Sequence, residues 1–125
     1  MTIKVALAGA GAFGIKHLDG IKNIADVEVI SLISRDQSKT DEVAARYGIA
    51  HTSTKLEDAL AIKEVDAVIL CTPTQMHAGQ TLACLDAGKH VEVEIPMCDV
   101  FADGQKIIER QQATGLVAMC GDTRR

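Results

Sequence analysis

The sequence has very few aromatic residues. Only 2% of its 125 residues are aromatic and none is tryptophan, although 47% are hydrophobic. This composition excludes a core built around large rings. Valine, isoleucine, leucine and alanine must fill the interior, as is usual where helices cover a parallel sheet. The length suits one domain with a sizeable core.

The sequence also lacks runs of basic residues and long apolar segments. The formal net charge is -4, and the two arginines at the end of the sequence are too few to form a basic patch. These features argue against nucleic-acid binding. No apolar run is long enough to cross a bilayer, and the first residues lead into a strand pattern without resembling a signal peptide. We therefore expect a cytoplasmic protein with no membrane partner.

Cysteine motifs are absent as well. The four cysteines show neither a C-x-x-C pair nor the spacing of metal ligands. They are Cys71, Cys84, Cys98 and Cys120. Cys71 and Cys120 lie in apolar, strand-like runs, where a free thiol behaves as a small hydrophobic side chain. We expect reduced structural thiols, as in a cytosolic protein, and no metal site.

Strand and helix patterns alternate along the whole sequence. Strands are expected at about residues 3–8, 27–34, 49–52, 65–71, 89–94 and 116–120. Helices are expected at about residues 12–23, 37–47, 54–61, 74–87 and 99–114, the third of them beginning with a capping box at Thr54–Glu57. This alternation predicts an α/β fold, a Rossmann doubly wound parallel sheet in three layers with strand order 3-2-1-4-5-6. Residues 1–125 then form one dinucleotide-binding domain, and a carboxy-terminal substrate and dimerisation domain is expected to lie outside this chain.

A glycine-rich turn joins the first strand to the first helix. Residues 9–14 read G-A-G-A-F-G, a G-x-G-x-x-G motif between a buried strand and a helix. Gly9 permits the tight turn, Gly11 lets a pyrophosphate approach the backbone, and Gly14 lets the helix pack on the strand. The free N–H groups and the positive dipole end of the helix favour phosphate. Gly9, Gly11, Ala12, Phe13 and Gly14 are therefore candidate cofactor-binding residues.

The residues after the second strand select the cofactor. NAD-binding domains have an acidic residue there, which binds the ribose hydroxyls and repels a 2′-phosphate. Here Ser34 and Arg35 occupy that place, and a hydroxyl with a guanidinium suits a phosphate. The sequence therefore favours NADP over NAD. Two alternatives remain: Arg35 is a solvated charge with Ser34 as a helix cap, or Asp36 turns inwards and restores NAD binding.

Further candidate residues gather at the ends of the fourth and fifth strands. In an open α/β sheet, ligands bind at the carboxyl ends of the strands, near the switch point between strands one and four. The candidates there are Cys71, Thr72, Pro73, His77, Glu94, Ile95 and Pro96. His77 can contact a ligand or form a hydrogen bond within the following helix, and Glu94 can bind the nicotinamide ribose or form a polar strand end. His17 and His51 have no recognisable partner in the sequence and receive no role.

Four motifs together resemble the Gfo/Idh/MocA oxidoreductases. They are the glycine turn, Cys71-Thr72-Pro73 followed by His77, the segment Ala87–Val91, and Glu94-x-Pro96. The resemblance implies the cofactor-binding, amino-terminal half of a dehydrogenase acting on CH–OH groups. The family usually has Glu-Lys-Pro in the last motif, with its lysine beside the nicotinamide. Ile95 occupies that position here, and an isoleucine cannot exchange a proton.

One branch of the family shares this isoleucine and is similar to the sequence at Ser34-Arg35 and at its end. The similarity implies NADP-linked oxidation of a cyclic hemiacetal in aromatic degradation, with a small dicarboxylate as substrate. It also implies that Arg124 and Arg125 hold substrate carboxylates, although Asp122 replaces a histidine of that branch. A homodimer is expected at full length, and this chain alone is expected to bind cofactor with little turnover. The alternatives are a sugar or polyol dehydrogenase of the same family and a non-catalytic NADP-binding module.

Overall fold

The computed structural model describes residues 2–94 and 101–121, in which six strands alternate with five helices. The strands are β1 (Ile3–Ala8), β2 (Val27–Ile33), β3 (His51–Ser53), β4 (Ala67–Leu70), β5 (His90–Glu94) and β6 (Ala118–Gly121). The helices are α1 (Ala12–Ile21), α2 (Gln37–Tyr47), α3 (Leu56–Leu60), α4 (Thr74–Asp86) and α5 (Phe101–Thr114). The predicted alternation is confirmed, with differences confined to the ends of elements.

The predicted sheet is also confirmed. The strand order is β3-β2-β1-β4-β5-β6, and every neighbouring pair is parallel. The chain leaves β1 in one direction through α1 to β2, and it later returns to the other side of β1 with β4. The carboxyl ends of β1 and β4 therefore form the switch point of the sheet, where a ligand-binding crevice is expected.

Each face of the sheet packs against helices, which gives the three layers. On one face Leu70 and Val93 pack with Leu85 of α4 in a continuous buried cluster. On the other face Leu7 and Leu32 pack with residues of α1 and α2. Leu7 and Leu70 are completely buried, as strands covered on both faces require.

A boundary shift with a clear physical cause occurs at β3. The strand was expected from residue 49, but its ladder begins at His51. The N–H of Ile49 donates instead to the carbonyl of Ala44 in α2, at 2.9 Å. Gly48 has a φ of 70°, a left-handed conformation that suits glycine and ends α2. The N–H of Ile49 therefore serves the end of α2 and is not available to pair β3 with its neighbouring strand.

The predicted capping box at α3 is wrong. Lys55, not Thr54, is the N-cap residue of α3, and it makes no side-chain capping bond. Ser53, at the end of β3, instead links the N-cap residue to the first turn of α3. Its hydroxyl accepts a hydrogen bond from the N–H of Lys55 at 3.0 Å and donates to the carboxylate of Asp58.

At α2 the capping residue is Asp36, whose carboxylate accepts a hydrogen bond from the N–H of Lys39 at 3.2 Å. We expect Asp36→Ala to lower the free energy of unfolding by about 1 kcal/mol, because an N–H of the first turn loses its partner. Urea unfolding followed by circular dichroism measures this difference. Lys39→Ala is the matched control, since Lys39 contributes its backbone N–H, and it should stay within about 0.5 kcal/mol of the parent. Equal losses in the two variants would contradict the capping role.

Candidate functional site

A cleft of about 680 Å³ opens at the carboxyl edge of the sheet, beside the switch point. It extends from the glycine turn after β1 to the loops after β2 and β4. Seven of the residues that the sequence proposed for cofactor binding line it: Gly9, Gly11, Ser34, Arg35, Cys71, Thr72 and Pro73. The fold thus brings residues from three separate loops to one concave surface, as expected for a dinucleotide site.

The glycines of the turn have distinct structural roles. Gly9 has a φ of 116°, and a Cβ on it would lie 2.5 Å from the carbonyl oxygen of Cys71. A Cβ on Gly14 would lie 2.0 Å from the carbonyl oxygen of Gly9. These two glycines are therefore required by the turn itself and by its contact with the end of β4.

Gly11 is different, because a Cβ on it would meet nothing within 4 Å. Its backbone is extended, with φ -82° and ψ -165°, a conformation that other residues adopt readily. The protein therefore does not need glycine at this position, which faces the cleft. A bare backbone here suits a ligand that approaches closely, such as a pyrophosphate. Ala12 and Phe13 begin α1, and their side chains lie outside the described part of the structure.

The loop after β2 brings Ser34 and Arg35 to the cleft, with Arg35 exposed. Asp36 caps α2 and is not among the cleft-lining residues. The helix cap is thus Asp36 rather than Ser34, so that part of the alternative interpretation is wrong. A rotation of Asp36 into the cleft would leave the N–H of Lys39 without this partner.

After β4, Cys71 and Thr72 are half-buried in the wall of the cleft. Thr72 Oγ1 donates to Gln80 Oε1 at 2.5 Å, so a side chain of α4 orients the loop. His77 is only 2% exposed, and its Nε2 donates to the carbonyl oxygen of Thr72 at 2.6 Å. Of the two roles left open for His77, the structure supports the internal hydrogen bond that anchors the β4–α4 loop.

Glu94 has a partner that the sequence did not indicate. Its Oε1 lies 2.5 Å from Nε2 of His17 on α1, with both side chains largely buried. The thiol of Cys71 is close to both, and the three candidate ligand atoms lie within 4.8 Å of one another. His17 therefore has a partner that its sequence context did not reveal. The same is true of His51, whose Nδ1 lies 2.8 Å from Ser31 Oγ.

Burial, together with the smaller effect of the carboxylates of Glu94 and Glu92, raises the pKa of the Cys71 thiol to about 12. Near neutral pH the unliganded thiol is therefore protonated and a poor nucleophile. Burial likewise raises the pKa of Cys84 to about 12. Both cysteines are free, in agreement with the expectation of reduced structural thiols for this part of the chain.

Several proposed residues lie outside the described residues. They are Ile95, Pro96, Cys98, Asp99, Asp122, Arg124 and Arg125.

The cleft also includes residues that sequence reasoning missed, on the loop after β3 and on one side of α4. Thr54, Lys55 and Glu57 form part of its wall after β3, and Gly79, Gln80 and Ala83 of α4 form another part. The signal for the loop after β3 is its position at the carboxyl end of a strand, where ligands bind in such sheets.

The parallel sheet, the glycine turn at its switch point and the cleft define a Rossmann-type NAD(P)-binding domain. Residues 3–122 match the sequence family described as the Gfo/Idh/MocA oxidoreductase family with an NAD-binding Rossmann fold. The chain belongs to this family.

Three similar proteins illustrate the relationship. The 4-carboxy-2-hydroxymuconate-6-semialdehyde dehydrogenase of Sphingobium sp. (strain SYK-6) is 60% identical over 98% of this chain and 39% of its own length. The inositol 2-dehydrogenase of Rhodococcus erythropolis is 33% identical over 90% of this chain and 33% of its own length. The structure of the WlbA dehydrogenase of Chromobacterium violaceum, solved with NADH and UDP-GlcNAcA, superposes with a TM-score of 0.90 at 28% identity, covering 96% of this chain and 35% of that one. The chain thus spans less than two fifths of the length of each relative.

Among the described residues, no helix is both long and apolar enough to cross a membrane.

Proposed function

We propose that this chain is the NADP-binding domain of a dehydrogenase that oxidises the cyclic hemiacetal of 4-carboxy-2-hydroxymuconate-6-semialdehyde to 2-pyrone-4,6-dicarboxylate. The observation that carries the proposal is the cleft, in which Gly11, Arg35 and Cys71 line successive parts of one surface. The 60% identity to the dehydrogenase of Sphingobium supports the choice of substrate. The aromatic degradation role and the cytoplasmic location follow as part of the same proposal.

The positions of these residues suggest how the dinucleotide lies in the cleft. The pyrophosphate would rest on the turn at Gly9–Gly14, where the N–H groups at the start of α1 and the open space at Gly11 favour it. The adenosine would extend towards Ser34 and Arg35. The nicotinamide would then lie towards the ends of β4 and β5, near Cys71.

The choice of NADP depends on Arg35. An exposed guanidinium at the end of β2 presents a fork of donors that matches a phosphate. The nearest acidic residue in the sequence, Asp36, is engaged as the cap of α2. A ribose 2′-phosphate therefore meets a cation and a hydroxyl, whereas the carboxylate that would repel it is held by the helix.

The residues of this chain serve mainly to bind and orient. When bound, the nicotinamide of NADP supplies the acceptor for a hydride. The hemiacetal already carries a hydroxyl on the carbon that is oxidised, so that loss of a hydride and of the hydroxyl proton gives the lactone. We propose that Arg124 and Arg125 pair with the two substrate carboxylates and fix the orientation of the ring. A further domain would complete the substrate site and a homodimer, and this chain alone should show little turnover.

Replacing Arg35 tests the cofactor preference. We expect Arg35→Ala to weaken NADP binding by about 10- to 100-fold, because a charge-assisted hydrogen bond is worth about 1.5–3 kcal/mol. Binding of NAD should change little, and titration calorimetry with each nucleotide measures both. Arg46→Ala is the matched control, since it removes the same charge from α2 at its opposite end, away from the cleft. Unchanged NADP affinity in Arg35→Ala, or tighter binding of NAD by the parent chain, would refute the preference.

The substrate is tested with the full-length protein. We expect the hemiacetal to be oxidised with formation of NADPH, measured by its absorbance, and inositol to be oxidised poorly. The similarity to an inositol dehydrogenase makes a polyol the second candidate, but Ile95 stands where the family's lysine is usual. Preferential oxidation of inositol would favour that second candidate, whereas nucleotide binding without any oxidation would identify a non-catalytic module.

A further inference from the structure

Three different metal-binding side chains meet at the rim of the cleft. His17 comes from α1, Cys71 from the end of β4 and Glu94 from the end of β5. The imidazole nitrogen, the sulfur and the carboxylate oxygen all lie within 4.8 Å of one another, and Nε2 of His17 is 2.5 Å from Oε1 of Glu94. No two of the three are near each other in the sequence, so their convergence is a product of the fold.

These distances are close to those of a shared metal ion. In a tetrahedral zinc site, with bonds of about 2.0–2.3 Å, nitrogen and oxygen ligands lie roughly 3.3 Å apart and sulfur lies roughly 3.6 Å from either. The hydrogen-bonded pair would need to separate by about 0.8 Å, and the sulfur would need to approach by up to about 1.2 Å. The strand ends hold Cys71 and Glu94 on adjacent, paired strands, so a side-chain adjustment is sufficient.

The donor set and its charge favour a divalent ion of borderline softness. Imidazole and thiolate suit Zn²⁺ and Co²⁺ better than Mg²⁺ or Ca²⁺. A thiolate at Cys71 and the carboxylate of Glu94 would balance two positive charges, with a neutral His17 as the third ligand. Glu92 lies on β5 with Glu94 and is close enough to Cys71 to act electrostatically on it. Its negative charge adds to the attraction for a cation.

We propose that His17, Cys71 and Glu94 form a binding site for a zinc-type divalent metal ion. Three protein ligands leave one coordination position of a tetrahedral ion for water or another ligand. Because Cys71 also lines the cleft, an ion at this site lies at the rim that a dinucleotide would share. Metal and nucleotide then compete, a consequence that rests on the proposed function, whereas the metal site itself does not.

Titration with Co²⁺ tests the site directly, because the visible absorption spectrum of bound Co²⁺ depends on the type and geometry of its ligands. The titration uses the chain with Cys98→Ser and Cys120→Ser, so that the remaining thiols are Cys71 and the buried Cys84. We expect one equivalent of Co²⁺ to produce the visible absorption of a tetrahedral complex and a thiolate charge-transfer band. The band should disappear in Cys71→Ser. In His17→Gln and Glu94→Gln the affinity for Co²⁺ and Zn²⁺ should fall by about 100-fold or more, since even the residues that support a ligand contribute 10- to 100-fold.

Two control variants separate the site from general metal binding. His51→Gln removes another partly buried, hydrogen-bonded imidazole, and Glu92→Gln removes the neighbouring carboxylate. Both should retain the cobalt spectrum, with affinity within a few-fold of the parent. Circular dichroism confirms that each variant is folded before titration. A thiolate band that persists in Cys71→Ser, or equal affinity in the parent, His17→Gln and Glu94→Gln, would overturn the proposal.

Competition is measured separately, by titrating NADP with and without saturating Zn²⁺. We expect the apparent affinity for NADP to fall in the parent and to be insensitive to Zn²⁺ in Cys71→Ser. Cobalt coordination without any nucleotide binding would refute the proposed function while supporting the metal site. Nucleotide binding without cobalt coordination would refute the metal site alone.

Discussion

Gly14→Ala should destabilise this domain by about 3 kcal/mol or more, at the upper end of the effects of forced overpacking. A Cβ at this position would lie 2.0 Å from the carbonyl oxygen of Gly9, and that oxygen is backbone, which cannot rotate away like a side chain. Relief requires α1 to move away from the end of β1. Urea unfolding followed by circular dichroism measures the loss. The start of α1 would move as well, so nucleotide binding should be lost together with stability.

Gly20→Ala provides a matched control on the same helix. Gly20 is exposed, and a Cβ there would meet nothing within 4 Å. Alanine should therefore leave stability unchanged or raise it by up to about 0.5 kcal/mol, because glycine in a helix is unfavourable relative to alanine and Gly20 lies next to the last residue of α1. If Gly14→Ala were as stable as Gly20→Ala, the turn would not have the close contact that we describe.

Gly11→Ala should differ from Gly14→Ala, because it should lower stability only modestly but weaken nucleotide binding strongly. Its extended backbone accepts alanine, and the loss at this helix N-cap position should be no more than about 1 kcal/mol. The new methyl group would occupy the open space that a pyrophosphate needs. The loss of one charge-assisted hydrogen bond of about 1.5–3 kcal/mol corresponds to affinity lower by about 10- to 100-fold. Calorimetric titration with NADP measures this change.

The comparison of the two glycine variants separates a folding role from a binding role. Gly20→Ala again serves as the control, because it lies on α1 outside the cleft. NADP affinity in Gly11→Ala equal to that of Gly20→Ala would show that no ligand approaches the turn at this point. That result would remove the main support for a dinucleotide in the cleft.

The fold was predictable because its signals are local. Apolar strands such as Val27–Ile33 and helices such as Gln37–Tyr47 have distinct patterns, and Gly48 marks the end of α2. The strand order followed from the alternation of the elements and the handedness of the connections. Boundaries were less certain where two elements compete for one backbone group, as the N–H of Ile49 illustrates.

The site was predictable only in part. Loops that follow strands meet at one edge of a parallel sheet, and this rule placed Ser34, Arg35 and Cys71 together correctly. The rule does not reveal which way a helix turns its side chains. The approach of His17 to Glu94, 77 residues away along the chain, depends on how α1 packs beside the sheet.

The sequence by itself determined the alternating α/β architecture, the glycine turn and the family, because these depend on residue types at short, fixed spacings. Only the tertiary structure decided which polar groups are partners. It buried His77 beneath the loop after β4, engaged Asp36 at the start of α2 and brought His17 to Cys71 and Glu94. The physical reason is that hydrogen bonds and coordination act over about 2–3 Å. Distances of that order are set by the packing of whole elements against one another.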